Sequence, residues 1–287
     1  MANLKEIRSR ITSVGSTMQI TSAMKMVSAA KLKKAQDAVT QMRPYANKLT
    51  ELLENLSASL SAEDGGVYST ERSVKNVLLV TITSNRGLCG GFNAYIIKSA
   101  KTLIIDKYSD ANVEILSIGK KSSEHFVKNG FNVASTHDAL FTDLTYDNVS
   151  KVAEGIMEQF VAGDYDKVLL VYNQFKNAAT QIIMNENYLP VQTTNIEGES
   201  IGDYIFEPGK KEIVEELIPK SLKTQLFKAI LDSHAAEHGA RMTAMHKATD
   251  NAGELKKELT LTYNKARQAA ITGEILEIVG GAEALNG

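Results

Sequence analysis

The sequence has few of the residues on which disulfide-bonded and metal-stabilised folds depend. Its 287 residues include one cysteine, four prolines and no tryptophan. A single cysteine excludes an internal disulfide framework, and no cysteine cluster is present that could hold zinc. No apolar run approaches the roughly 18 residues of a membrane span, and the first ten residues lack the apolar core of a secretory signal. We therefore expect a soluble or peripheral protein.

Charge is balanced over the whole chain but not along it. The net charge is −2, whereas the first 48 residues carry a net charge of +7, from nine basic and two acidic side chains. This basic end favours an acidic partner, although a solvated helix face would show the same excess.

The N-terminal sixty residues carry the pattern of one long helix. Apolar residues recur in alternating steps of three and four from Leu4 to Leu60, which is the spacing of a coiled-coil seam. Because this register holds past Pro44, we expect the proline to bend the helix rather than end it. The sequence predicts a helix over 1–60.

The apolar stripe of this helix rotates near its middle. The regular seam positions there become Thr21, Lys25 and Ser28. The apolar side chains stand one position earlier, at Ile20, Met24 and Val27. Either two helices change their mutual packing here, or the displaced apolar residues face a second partner. A cluster of lysines follows at once.

The last segment, 209–285, predicts a second long helix. It contains one proline, Pro219, and no turn cluster, and it is rich in Ala, Glu, Lys and Leu. Its predicted seam contains many small residues and comprises Met245, Ala248, Ala252, Leu255, Leu259, Thr262, Ala266, Ala269, Gly273 and Leu276. Two long helices with matching seams predict a helical hairpin made from the two ends of the chain.

Residues 75–190, between the two helices, carry the alternation of an α/β domain. Strands are expected at 77–83, 113–118, 131–135, 167–175 and 180–188. The last two are joined by a short turn and should form an antiparallel edge pair. The middle of the chain therefore predicts an inserted Rossmann-like, five-stranded α/β domain.

The turn after the first strand contains Gly87, Gly90 and Gly91. Backbone N–H groups at such a strand-to-helix turn can cradle a phosphate. The spacing matches neither the Walker pattern nor the dinucleotide pattern, which favours a tight turn for packing. A coiled-coil tether with a nucleotide-binding α/β head remains an alternative.

A second motif spells the inverted zincin sequence with His234, Glu237 and His238. Both imidazoles fall on the predicted helix seam, and a two-helix rod offers no cleft for a substrate. A zinc hydrolase is therefore the weaker alternative. We expect no catalytic residue, no cofactor and no bound metal.

Four stretches closely resemble the gamma subunit family of the F-type ATP synthase. They are ITSAMKMVSAAK at 20–31, RPY at 43–45, RMTAMHKATDNA at 241–252 and TYNKARQAAITGEILEIVGG at 262–281. The resemblance extends over the whole chain. It implies a non-catalytic rotor shaft of a proton- or sodium-transporting ATP synthase, built as an antiparallel, left-handed coiled coil inside a ring of alpha and beta subunits.

The resemblance also implies how such a shaft is connected. The globular domain would sit on the membrane-embedded ring of c subunits together with the epsilon subunit, so membrane association would be indirect and no nucleic acid would be bound. Rotation of that ring would change the conformation of the catalytic sites on the beta subunits. An initiating methionine without a targeting peptide fits the cytoplasmic face of a bacterial membrane.

Contacts with the stator ring are implied on both helices. In the family, positions matching Met24 and Lys25 lie near an acidic lever of a beta subunit, and those matching Arg267 and Gln268 meet a polar loop. Lys25 is a departure, because some members carry an acid there. The expected contact residues are Met24, Lys25, Lys31, Lys33, Lys34, Arg241, Asn264, Arg267, Gln268, Thr272, Glu274 and Glu277. The apolar tip, 275–285, would turn in an apolar sleeve.

Overall fold

The computed structural model describes residues 4–58, 67–191 and 210–286. Contacts divide the chain into two compact units. One is Met1–Ser28 with Met242–Gly287, and the other is Ala29–Arg241. Both long helices contribute residues to both units.

Two helices account for almost half of the chain. Helix α1 covers Leu4–Ala58 and helix α5 covers Lys210–Asn286. Each continues through its internal proline, Pro44 or Pro219, as expected when the surrounding turns are rich in helix-forming residues. Both predicted helices are present; positions 1–3, 59–60 and 209 lie outside the described residues.

In the first unit the two helices run antiparallel. The Thr249 hydroxyl donates to that of Thr21 over 2.8 Å, and Lys25 Nζ lies 3.2 Å from His246 Nδ1. Residue numbers therefore rise along α1 as they fall along α5. This opposite direction confirms the predicted hairpin, and steps of three and four are those of left-handed coiled coils.

The seam predicted on α1 is confirmed as far as Leu49, and the side chains of its last three positions, 53, 56 and 60, lie outside the described residues. All its positions from Leu4 to Leu49 are buried or half-buried. The seam predicted on α5 is correct at Met245 and Ala248 and, from Ala252 onward, at every second position, since Ala252, Leu259, Ala266 and Gly273 are also buried or half-buried. The intervening positions were wrong: Leu255 and Leu276 are 45% and 66% exposed.

The residues one place further along α5 take the intervening positions instead. Lys256, Tyr263 and Ala270 are the half-buried ones. The two alternatives differ by one residue at these positions. The large apolar side chains of α5 do not decide between them, because Leu255 and Leu261 are exposed while Leu259 is half-buried. The position of α1 determines which face of α5 is buried, and the apolar pattern of α5 alone does not.

The second unit contains a five-stranded sheet in the order β3-β2-β1-β4-β5. The strands are β1 Asn76–Ile82, β2 Asn112–Ile118, β3 Val133–Thr136, β4 Lys167–Phe175 and β5 Gln181–Leu189. The first four are parallel and β5 pairs antiparallel with β4. This confirms the predicted Rossmann-like domain and its antiparallel edge.

Helices cover both faces of the sheet. They are α2 Phe92–Thr102, continued by a π-helical turn at Leu103–Lys107, then α3 Lys120–Lys128, a 3-10 turn at Asp138–Phe141, and α4 Tyr146–Ala162. Helix α4 begins with a Thr145 cap and ends at Gly163 with φ of 89°, a backbone conformation that suits glycine. Near-continuous apolar strands such as Val77–Val80 need cover on both faces.

Part of α5 packs on the sheet as one of these cover helices. Its buried side chains join the core formed by α4 and the strands, and they are Ile218, Leu222, Leu226, Ala229 and Ile230. The opposite face is covered by α2 and α3, through residues such as Ile96 and Phe126. The terminal helix is therefore an integral layer of the α/β unit.

Candidate partner-binding surface

Helix α1 exposes apolar side chains that do not pack against α5. Ile20 is 60% and Val27 is 57% exposed, and Met24 is half-buried. These residues lie at helical spacing on one face. Thr21 and Ser28 are buried instead, so the seam keeps its register through this segment and the displaced apolar residues face away from α5.

Sequence reasoning missed one exposed apolar residue in this segment. Met26 is 66% exposed, more than either Ile20 or Val27. Its signal was present, because it lies off the regular seam of α1. It adds a flexible thioether, a side chain suited to adaptable binding surfaces.

Lys25 is partly engaged inside the pair. It is half-buried, and its Nζ lies 3.2 Å from Nδ1 of His246, which in turn lies 3.4 Å from Asp250. The charge of Lys25 is therefore shared with α5 rather than presented alone.

The three lysines that follow are exposed. Lys33 pairs with Asp37 over 2.9 Å, one turn along the same helix. Lys31 and Lys34 are also exposed. Within the described part of the chain, the ammonium groups of Lys31 and Lys34 therefore have no hydrogen-bond partner, whereas that of Lys33 has one.

The C-terminal helix presents an exposed polar stripe near its end. Its members are Asn264, Arg267, Gln268, Ile271 and Glu274, with Thr272 and Glu277 beside them. The Thr272 hydroxyl donates to the carbonyl oxygen of Gln268 over 2.9 Å. The side chains of Arg267 and Gln268 have no hydrogen-bond or ion-pair partner in the described ranges, so their donors and acceptors face solvent.

Arg241 does not belong to this surface. It is buried, 8% exposed, and its guanidinium donates to the carbonyl oxygens of Gly87 and Arg86 and to the carboxylate of Glu237. The donors of its guanidinium are engaged within the chain, and the expected stator contact at Arg241 stays a prediction. The burial follows from its position on the seam side of α5.

The glycine turn is held by those same contacts. Leu88 and Gly90 have φ of 63° and 59°, and Asn93 accepts from the Ser84 N–H over 3.0 Å. The carbonyl oxygens of residues 86 and 87 point at a cation, whereas a phosphate site needs converging N–H groups. The turn therefore secures β1 to α5, and nothing in its geometry favours a nucleotide site.

The two histidines of the zincin-like motif contact each other, with His238 buried and His234 half-buried. Their Nε2 atoms lie 3.1 Å apart, and Phe141 stacks on His234. Burial, together with the nearby Lys31 cation, lowers the pKa of His234 to about 4 and that of His238 to about 3. Burial also raises the pKa of Glu237, whose carboxylate is bonded to Arg241.

A zincin arrangement is therefore not formed. Its glutamate would have to face a metal-bound water, and here it faces a guanidinium instead. In the described residues, no group of three His, Cys, Asp or Glu side chains is placed to hold a metal ion. No described helix has the length and apolar character to cross a membrane.

These features define a class of protein. It has two long terminal helices that pair antiparallel, a five-stranded α/β domain inserted between them, and exposed apolar and polar stripes on the paired ends. A family model described as ATP synthase matches residues 3–285.

Two relatives match over their whole length. The ATP synthase gamma chain of Flavobacterium johnsoniae is 66% identical over 288 aligned positions, with 100% of each chain covered. That of Chlorobium phaeobacteroides is 48% identical with the same coverage. The chain belongs to the ATP synthase gamma chain family.

Solved structures share the architecture. The rotor of the Euglena gracilis mitochondrial ATP synthase matches with a TM-score of 0.69 and 22% identity, covering 93% of this chain and 98% of that one. The central stalk of the Tetrahymena thermophila mitochondrial enzyme matches with a TM-score of 0.59 and 25% identity, covering 80% and 99%. The likeness confirms the predicted fold class.

Proposed function

We propose that this chain is the central rotor shaft of an ATP synthase. It couples ion-driven rotation of a membrane ring to conformational changes at catalytic sites on beta subunits, and it catalyses no reaction itself. The observation that carries the proposal is the exposed apolar side of α1. The seam between the helices is already filled by their own residues, yet Ile20 and Val27 remain 60% and 57% exposed.

Such a surface suits a partner that is larger than the helix pair. Soluble proteins keep contiguous exposed apolar surface small unless it is a binding site. A single asymmetric rod inside a threefold ring touches three equivalent subunits differently, so each subunit takes a different conformation and affinity. Turning the rod then exchanges those states.

The polar stripe of α5 supplies directional contacts. Arg267 and Gln268 offer donors and acceptors with no partner among the described residues, so a stator loop can engage them at one rotor angle and release them at the next. Hydrogen bonds are directional, and because these form in exchange for hydrogen bonds to water their net energy is only about 1–3 kcal/mol each, which suits contacts that are made and broken in each turn.

The proposed stator contacts on both helices are Met24, Lys25, Lys31, Lys33, Lys34, Asn264, Arg267, Gln268, Thr272, Glu274 and Glu277. The exposed lysines on α1 would face acidic side chains of a beta subunit. Lys25 shares its charge with His246, so we expect it to contribute less than Lys31 or Lys34.

The end of α5 suits rotation within an apolar sleeve. Every residue with a described side chain from 274 to 284 is exposed, including Ile275, Leu276 and Ile278 at 53%, 66% and 71%. Apolar contact is non-directional, so a tip held only by such contact can turn without breaking strong bonds.

We further propose the partners and location. The ring consists of alpha and beta subunits, and the α/β domain meets an epsilon subunit and the ring of c subunits. The chain is then peripheral, on the cytoplasmic face of a bacterial membrane and attached only through these partners. Support comes from the family and from the rotor and central-stalk structures that share its fold.

A reversible crosslink tests the proposal. Gln268→Cys is combined with a cysteine in the facing beta-subunit loop of the assembled enzyme, and oxidation is expected to stop ATP synthesis until a reductant is added. The native Cys89 is buried and should not compete. Undiminished ATP synthesis in fully crosslinked enzyme would contradict a rotating shaft.

A neighbouring position provides the control. Ala269 is exposed and lies about 100° further around the helix. Ala269→Cys with the same beta-subunit cysteine is expected to crosslink poorly and to leave synthesis intact under oxidation. Crosslinking at both positions with equal yield would show that the contact is not directional.

A further inference from the structure

Arg43 joins three parts of the chain within the unit Ala29–Arg241. Its Nη2 atom donates to Oδ1 of Asp232 on α5 over 2.9 Å, and to the carbonyl oxygen of Phe175, the last residue of β4, over 3.0 Å. Helix α1, helix α5 and the sheet therefore meet at one guanidinium. Arg43, Phe175 and Asp232 are called the Arg43 junction below.

Asp232, the buried partner of Arg43, restricts the geometry of this junction. The side chain of Asp232 is 0% exposed, against 40% for that of Arg43. Burial raises the pKa of the Asp232 carboxyl, and the hydrogen bond from Arg43 opposes the rise. Oδ2 of Asp232 has no hydrogen-bond partner among the described residues. The carboxylate thus depends on Arg43, and a buried ion pair is favourable only in a narrow geometry.

Helix α5 has further links to the sheet that do not involve Arg43. Glu186 on β5 accepts a hydrogen bond from Gln225 over 2.8 Å and another from Tyr172 over 2.7 Å. The Tyr188 hydroxyl donates to the carbonyl oxygen of Leu222 over 3.0 Å. Loss of the Arg43 junction would therefore leave α5 fixed to the sheet and α1 held only by its remaining packing.

The remaining packing of α1 in this unit is largely apolar. Its buried seam residues are Leu32, Ala35, Val39, Ala46 and Leu49. Such contact resists separation, but it is non-directional and opposes sliding or rotation less. Pro44, next to Arg43, removes a backbone donor and leaves the carbonyl of Thr40 without its partner within the helix. The junction therefore holds α1 beside a turn that lacks one backbone hydrogen-bond donor.

We propose that the Arg43 junction locks the axial and rotational register of α1 against α5 and the sheet, so that torque applied to the α/β domain reaches α1 without slip. This inference rests on the proposed rotor function. Arg43 is a positioning residue in it, because it contacts neither nucleotide nor transported ion.

The test measures coupling in the assembled ATP synthase in sealed vesicles. Arg43→Met keeps much of the side-chain length and removes both hydrogen bonds. The number of ions transported per ATP hydrolysed is expected to fall below that of the wild type, because α1 can then slip while hydrolysis continues. Hydrolysis by the detached soluble part should change much less. Arg43→Lys keeps the charge but not the planar fork and should lose coupling partially.

Two further variants separate positioning from stability. Adding Asp232→Asn to Arg43→Met removes the buried unpaired charge, so thermal stability should recover while coupling stays low. Glu154→Gln breaks the 2.6 Å ion pair between Lys223 on α5 and Glu154 on α4, which leaves α1 untouched, and it should keep normal coupling.

The outcomes decide between the alternatives. Coupling that recovers together with stability in the double variant, or that falls equally in Glu154→Gln, would overturn the proposal. If Arg43→Met does not assemble, unimpaired coupling in Arg43→Lys would overturn it. Failure of the rotor function itself looks different, because the wild-type chain would then not assemble with alpha and beta subunits.

Discussion

The histidine pair of the zincin-like motif makes the stability of this chain depend on pH. His234 and His238 lie in a pocket bounded by Phe141 and near the cations of Lys31 and Arg241. Both pKa values are lowered from 6.5, to about 4 and about 3. A lowered pKa means that the fold favours the neutral imidazole. The stabilisation is complete above the unfolded pKa and is lost progressively as the pH falls from the unfolded pKa towards the folded values.

The size of the effect follows from these pKa values. At about pH 5.5, one unit below the unfolded pKa and above both folded ones, each imidazole has cost about 1.4 kcal/mol relative to neutral pH. The pair together should lower the free energy of unfolding by about 2–3 kcal/mol. Glu237 acts in the opposite direction, since its pKa is raised.

Urea unfolding of the full chain at neutral pH and at about pH 5.5 measures this loss. The double variant His234→Leu/His238→Leu is the comparison, because Glu237 and the other groups contribute to both proteins. The wild type should lose about 2–3 kcal/mol more than the variant on acidification. Lys31→Met should reduce the loss, because a nearby cation is removed. Equal losses in wild type and double variant would refute the reasoning.

Two substitutions in the α/β unit have expected effects on the free energy of unfolding. Gly119 has φ of 101°, and a Cβ there would lie 2.0 Å from the carbonyl oxygen of Thr83, so Gly119→Ala should cost about 3 kcal/mol or more. Gly130→Ala, with φ of 75° and open space, should cost only about 1 kcal/mol; equal costs in urea unfolding would contradict the steric argument. Arg241→Met should cost about 3–5 kcal/mol because buried Glu237 loses its counter-charge, and adding Glu237→Gln should recover part of the loss; no recovery would place the cost elsewhere.

Most of the fold could be predicted from local signals. The strands are short apolar runs bounded by turns, and β1 at Asn76–Ile82 differs from its predicted bounds by one residue at each end. The seam of α1 was predictable because large apolar residues such as Leu32 and Val39 alternate with polar ones. When large apolar side chains recur with a regular helical period, they lie on one face of the helix. That face has most of the apolar area and is therefore the one that is buried.

The candidate surface could be predicted in part. The exposed polar stripe at Arg267 and Gln268 lies where helical spacing placed it. Arg241 lies on the seam side of α5, but the partners of its guanidinium include the carbonyl oxygens of residues 86 and 87, which are more than 150 residues away in the chain. No local pattern carries that information.

The sequence by itself determined the two long helices, the inserted parallel sheet and the family, because periodicity and motif are properties of neighbouring residues. Tertiary structure alone decided which face of the Ala-rich helix α5 is buried, that the glycine turn binds a guanidinium, and that Arg43 joins α1 to Asp232. Those outcomes depend on which distant groups share a desolvated space. The energy of burying a polar or charged side chain depends on the partner that it meets, and that partner cannot be identified from the residue itself.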